Sequence, residues 1–185
     1  DGLGNTTSVT YDQAGNVIAE TDANGDTKIM DYDGENRLLQ TEYPDGSEVT
    51  YSYDGNGNVL SVTNNSGTLS YTYDILDRII SCTDPHGHTV EYAYDLAKNR
   101  KKIVYPDDPS HIVSYSFDAA NQLESITDWT GRTWQYEVDG AGKITKLTYP
   151  NETVRIQDYD SAGRLIGVAN KKSNDEIIYA QEITR

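Results

Sequence analysis

The residues of this chain best suited to chemistry are its aspartates, because one of them returns on a fixed period. It follows an aromatic residue in Tyr11-Asp12, Tyr32-Asp33, Tyr53-Asp54, Tyr73-Asp74, Tyr94-Asp95, Phe117-Asp118 and Tyr159-Asp160, and Val138-Asp139 fills the remaining place. Successive aspartates are 21, 21, 20, 21, 23, 21 and 21 residues apart. A carboxylate can ligate a metal or carry a proton, so eight copies could be eight sites. An aspartate at a strand end can equally accept hydrogen bonds from backbone N–H groups of the following turn. Catalytic groups do not normally recur in every unit of an array. The recurrent aspartate is therefore read as a turn cap, and the chain is not expected to be an enzyme.

Other candidates are weighed in the same way. Asp54-Gly55-Asn56-Gly57-Asn58 and Asp22-Ala23-Asn24-Gly25-Asp26 resemble the opening of a calcium loop. In the first, Val59 stands where the loop needs Gly and Asn65 where it needs Glu, so no dedicated metal site is expected. His86 and His88 lie at a turn without an evident third ligand and read as solvated. Ser110-His111 has no nucleophile context. Cys82 occupies an apolar strand position and reads as a small hydrophobe. No phosphate-binding loop or other cofactor motif is present, so no cofactor is expected. Trp129 and Trp134 are the candidate ligand-binding residues, because a flat indole face can stack on the apolar face of a pyranose ring. Trp134 falls in register with a tyrosine-bearing strand face, whereas Trp129 falls at a turn and is the more exposed candidate.

The elements that must position these residues are strands. Two residues before each aromatic lie Val9, Met30, Tyr51, Tyr71, Tyr92, Tyr115, Tyr136 and Gln157, on the same face by the two-residue period. Three after each Asp lie Gly15, Asn36, Gly57, Asp77, Lys98, Asn121, Gly142 and Gly163, and all but Lys98 tolerate the positive φ of a hairpin turn. Next comes a long polar or basic residue, as in Asn16, Arg37, Asn58, Arg78, Lys143 and Arg164. A second turn is expected at Gly25, Gly46, Gly67, Gly87 and Gly131, and Gly4 would close the same turn of a first repeat present only as its second half. Alternation is clean in the strand before the Asp, as in Val49-Tyr51-Tyr53. In the strand after it, the apolar residue at the turn exit is out of phase with the rest. That leaves either apolar character on both faces or a bulge.

The fold class read from this pattern is all-β. About eight tandem hairpin repeats of roughly 21 residues form a continuous antiparallel sheet that twists or spirals, a segment of a hollow shell or solenoid. Residues 1–185 are one array with a degenerate tail over 171–185, and the chain reads as a fragment of a larger protein. Composition agrees: only 36% is hydrophobic, and 15 residues are Tyr against one Phe and one Met. Tyr has an apolar ring and a polar tip, which suits a half-buried sheet face better than an oily interior. The net charge of −15 repels phosphate backbones and anionic surfaces, so no nucleic-acid partner is expected. No apolar run is long enough for a membrane span.

The unit Tyr-x-Tyr-Asp-x-x-Gly-Arg/Asn-Leu, followed by Pro-Asp-Gly, resembles the YD repeat of RHS proteins. Tyr51 to Leu60, Tyr159 to Leu165 and Pro44-Asp45-Gly46 carry the resemblance best, and it extends over essentially the whole chain. It implies a secreted or cell-surface protein whose hairpins build a hollow β shell around a C-terminal toxin or effector domain of the same polypeptide. The family's shell-closing segment and toxin domain have no match here, so encapsulation is implied for the parent protein. The alternative expectation is an adhesion module whose Tyr- and Trp-rich surface contacts glycan or another cell surface.

Overall fold

The computed structural model describes residues 6–183, and the turn expected at Gly4 lies outside them. Seventeen strands and no helix are found among the described residues. The chain divides into two compact units, with the boundary between Val90 and Glu91. The first holds β1 (Ser8–Tyr11), β2 (Val17–Thr21), β3 (Thr27–Tyr32), β4 (Leu38–Glu42), β5 (Glu48–Tyr53), β6 (Val59–Asn64), β7 (Gly67–Tyr73) and β8 (Ile79–Thr83). β9 (Thr89–Tyr94) contains the boundary. The second unit continues with β10 (Arg100–Val104), β11 (Ile112–Phe117), β12 (Leu123–Thr127), β13 (Thr133–Val138), β14 (Ile144–Thr148), β15 (Val154–Tyr159), β16 (Leu165–Lys171) and β17 (Ile177–Glu182). Within each unit the strands form an antiparallel meander in chain order, so the all-β hairpin array read from the sequence is the fold.

Two turns alternate along the meander. After each aromatic-Asp pair, the Asp N–H donates to the carbonyl four residues on, and the residue three on donates back to the Asp carbonyl. Asp54 N to Asn58 O is 2.9 Å and Gly57 N to Asp54 O is 3.2 Å. Such a loop needs positive φ at its third residue. Gly57 has φ 92°, and Lys98 is held at 74° despite its side chain. The second turn repeats this geometry at Tyr43, where the N–H reaches Ser47 O at 2.9 Å. The one 20-residue spacing arises because Asn64 pairs directly with Gly67, leaving a two-residue turn. The 23-residue spacing arises from a longer loop closed by Tyr105 N to His111 O at 3.0 Å.

The phase problem of the second strand is resolved by a bulge. Tyr53 pairs with Val59 and Ser52 with Ser61, so Leu60 is the extra residue. Val59 and Val62 thereby both lie across from tyrosines, Tyr53 and Tyr51, while Leu60 turns out and is 38% exposed. The same shift occurs at Asp31/Tyr32, Thr72/Tyr73, Ser116/Phe117, Glu137/Val138 and Asp158/Tyr159. No such shift accompanies the second turn at β2–β3, β4–β5, β12–β13 or β14–β15. In the degenerate tail the β16–β17 pair carries an additional shift at Asn170/Lys171, and all of β17 is exposed.

One face of each meander thus carries tyrosine and aliphatic residues, and the other carries Ser, Thr and acids. The second face is tied by hydroxyl pairs across strands, such as Thr83 to Thr89 at 2.7 Å and Ser52 to Ser61 at 2.6 Å. Burial is shallow everywhere. Only Met30, Ile103 and Thr41 fall below a tenth exposed among the described residues, at 7%, 8% and 5%. Order therefore rests on many cross-strand pairs of roughly 0.2–1 kcal/mol each, with no thick core among the described residues behind them.

Candidate binding surface and the latches between repeats

The recurrent aspartate is spent on its own turn. Asp54 Oδ1 accepts from Asn56 N and Asn58 N, both at 2.9 Å, and Oδ2 accepts from Asn58 Nδ2 at 3.0 Å. The Asn58 side-chain bond, aided by the backbone bonds, holds the Asp54 carboxyl below the usual range. Where the fourth residue is arginine the bond becomes an ion pair, as in Arg37 Nε to Asp33 Oδ2 at 2.6 Å and Arg164 Nε to Asp160 Oδ2 at 2.7 Å. Asp128 caps the second turn in the same way. Burial alone would raise it, but hydrogen bonds from Thr130 and Arg132 outweigh that effect and hold it at about 2. The two calcium-like segments are such caps, with Asp22 Oδ1 accepting from Asn24 N at 2.8 Å and Asp26 N at 3.0 Å. Among the described residues no three His, Cys, Asp or Glu side chains converge to hold a metal.

The fourth residue also reaches the next repeat, a role that the sequence reading missed. Arg37 lies over the Tyr53 ring, 4.7 Å from its centroid, and donates from Nη1 to Asp54 O at 3.2 Å. Lys143 lies 5.2 Å from the Tyr159 ring and donates to Gly163 O at 2.5 Å. Asn58 reaches Asp77 at 2.7 Å, and Asn99 donates to Asn121. The tyrosines reach back. Tyr53 Oη donates to Leu38 O at 2.8 Å, Tyr73 Oη to Val59 O at 2.8 Å and Tyr159 Oη to Ile144 O at 3.1 Å. Each acceptor is the residue just before the bulge of the preceding repeat. The Tyr and the basic residue of the motif thus form a two-way latch between neighbours. Burial pushes the Tyr53 phenol up, consistent with a hydroxyl that stays protonated to donate. The signal was present in the sequence: the basic residues Arg37 and Lys143 precede tyrosines, while Gln122 precedes the non-aromatic Val138.

The remaining candidates separate. His86 and His88 lie 6.1 Å apart, with His88 Nδ1 3.1 Å from Asp84 Oδ2 at the same turn. Cys82 is half-buried on the tyrosine face, opposite Tyr71. Trp129 is 47% exposed in the turn between β12 and β13. Its ring meets Tyr105 edge-on at 5.9 Å and His111 at 5.1 Å, both from the ends of the lengthened loop. Trp134, on β13, is half-buried beneath the Arg132 guanidinium, 5.9 Å from its ring. It lines a shallow depression of about 360 Å³ with Arg132, Tyr149, Pro150, Asn151 and Thr153. Trp129 lies within the Asp128–Arg132 turn, and Trp134 lies just beyond it on β13.

Comparison with known proteins follows the fold. The chain is 28% identical over 125 residues to the probable deoxyribonuclease RhsA of Dickeya dadantii, covering 55% of this chain and 9% of that protein. It is 33% identical over 101 residues to the tRNA3(Ser)-specific nuclease WapA of Bacillus spizizenii, covering 53% of this chain and 4% of that protein. The chain thus spans less than a tenth of the length of these relatives. The Tc holotoxin pore of Photorhabdus luminescens superposes with a TM-score of 0.58 at 20% identity, over 96% of this chain and 9% of that one. The TcdB2–TccC3 complex without its hypervariable C-terminal region gives 0.57 at 21%, over 96% of this chain and 10% of that one. These likenesses establish the fold. Residues 4–185 match the model of the teneurin YD-shell family, and the chain belongs to that family.

Proposed function

We propose that this chain is a wall segment of an RHS-type β shell, with no catalytic role of its own. In the whole protein, secreted or displayed at a cell surface, that shell encloses or carries a C-terminal toxin or effector domain. The observation that carries this reading is the commitment of the motif. Tyr53, Asp54 and Asn58 are engaged by their own turn or by the neighbouring repeat, as are Tyr159, Asp160 and Arg164. Relatives named as nucleases, and the toxin-complex structures that share the fold, support the effector as cargo. Limited proteolysis of the full-length protein tests it. A compact C-terminal domain should resist protease within the intact protein and be digested when expressed alone. Equal digestion in both settings, or repeats that run on to a wall anchor, would refute it.

A further inference from the structure

We propose that the tyrosine face of β15–β17 docks a peptide segment through one Asp or Glu carboxylate, which pairs with Arg155, a role separate from shell building. Arg155, Gln157 and Tyr159 share that face of β15 by the two-residue period. In five repeats the residue four before the aromatic place is apolar, at Val49, Leu69, Val90, Val113 and Trp134. In two it is basic. Lys28 lies directly across from Glu20 and pairs with it at 2.6 Å. Arg155 lies between Leu147 and Asn170, so neither flanking strand sets a carboxylate opposite it. Its Nε is buried without a hydrogen-bond partner, and no ion pair to Arg155 is found among the described residues. A buried donor without an acceptor is costly, the more so when it is charged. Arg37 and Arg164 take carboxylates from their own turns, in a chain with 30 Asp and Glu. The unanswered guanidinium is therefore particular to this place and points to an acid supplied by a partner. Its surroundings are altered too. Gln157 replaces a tyrosine found in five other repeats, and Tyr179, across from Asn170, is 50% exposed. A planar guanidinium takes a carboxylate through two parallel bonds, the Asn170 amide beside it can donate or accept, and the open Tyr179 ring offers apolar contact. The net charge of −15 acts against a polyanion, so the partner carries an isolated acid on an otherwise neutral stretch.

Nitrogen-15 NMR of the full chain gives one Nε–Hε resonance per arginine, and that of Arg155 is identified by its loss in Arg155→Lys. The probe is acetyl-Gly-Leu-Glu-Leu-Gly amide, with its Gln counterpart and inorganic phosphate titrated separately. The Glu peptide should move the Arg155 resonance and the amides of β15 and β16 saturably, and the Gln peptide should not. Arg155→Lys, which keeps the charge and loses the planar fork, should weaken binding about fivefold, followed through the same amides. Arg155→Leu should abolish the response. It should also slow hydrogen exchange in β15 and β16 about fivefold, because the unanswered donor is gone and Leu packs against Leu147. The proposal is overturned by absence of a saturable response to the Glu peptide, by an equal response to the Gln peptide, or by a response to phosphate alone. Undiminished affinity in Arg155→Lys overturns it as well. So does exchange that is not slowed in Arg155→Leu, which would show that the guanidinium already stabilises the fold without a partner.

Discussion

Removing one hydroxyl tests the latch between repeats. Tyr53→Phe keeps the ring beneath Arg37 and deletes only the 2.8 Å bond to Leu38 O. A net hydrogen bond of this kind contributes about 1 kcal/mol, and more where the abandoned carbonyl is shielded from water. Arg37 over the ring adds about 0.5–1 kcal/mol, which Phe retains and Tyr53→Leu removes together with ring burial. The expected losses are therefore about 1 kcal/mol for Phe and about 3 kcal/mol for Leu. Because each repeat contacts only its neighbours, the loss is local. Amide hydrogen exchange under native conditions is the suitable assay: amides of β5 and β6 should exchange about fivefold faster in Tyr53→Phe, while those of the second unit are unchanged. The reverse change supplies a control, since Phe117 occupies the same place without a hydroxyl, and Phe117→Tyr should slow exchange in β11 and β12. If Tyr53→Phe exchanges like the parent while Tyr53→Leu is strongly affected, the hydroxyl contributes nothing and the latch reduces to ring packing.

Three further outcomes follow from the turns. Lys98 is held at φ 74°, so Lys98→Gly should stabilise the second unit by about 1 kcal/mol in urea unfolding; a loss would show that the side chain earns its strained backbone through contacts. Gly67 and Gly25 both have positive φ, but a Cβ on Gly67 would stand 2.6 Å from Pro85 Cβ whereas one on Gly25 meets open space. Gly67→Ala should therefore cost about 2 kcal/mol or more and Gly25→Ala about 1 kcal/mol, and equal losses would contradict the packing of these turns. The capping carboxylates Asp54, Asp74 and Asp160 titrate below the value of an unfolded chain, and Asp128 at about 2, so their contribution is present above about pH 4 and is lost as pH falls through the folded values. Circular dichroism should show acid unfolding between about pH 4 and about pH 2, less steep at its acid end in Asp128→Asn; a signal flat to pH 2 would remove the carboxylates from the stability of the fold.

The array was legible because its signals are local. The aromatic-Asp period, the positive-φ position and the alternation of Val49, Tyr51 and Tyr53 each reside within one hairpin, and the structure places them as the pattern implies. Leu60 and its counterparts were harder. Period two alone could not distinguish a two-faced strand from a bulge, because both leave the same residue out of phase, and only pairing decides which partner is skipped. The latch was harder to read for another reason. Arg37 and Tyr53 are 16 positions apart in sequence and meet only when one hairpin stacks beside the next. Trp129 and Trp134 were identified by residue type and place, but Tyr105 and His111 reach Trp129 through a loop whose course no periodicity describes.

The pairing of bulge carbonyl with the succeeding tyrosine also bears on how such genes change length. The hydroxyl latches of Tyr53, Tyr73 and Tyr159 each join neighbouring repeats through the carbonyl just before the bulge, so duplicating or excising a module of this kind leaves compatible ends to rejoin. Spacings of 20 and 23 are absorbed in the turn opposite the latch, at Asn64–Gly67 and at Tyr105–His111, where no clasp is disturbed. Evolution can therefore lengthen or shorten the array in module-sized steps, without inventing a new interface.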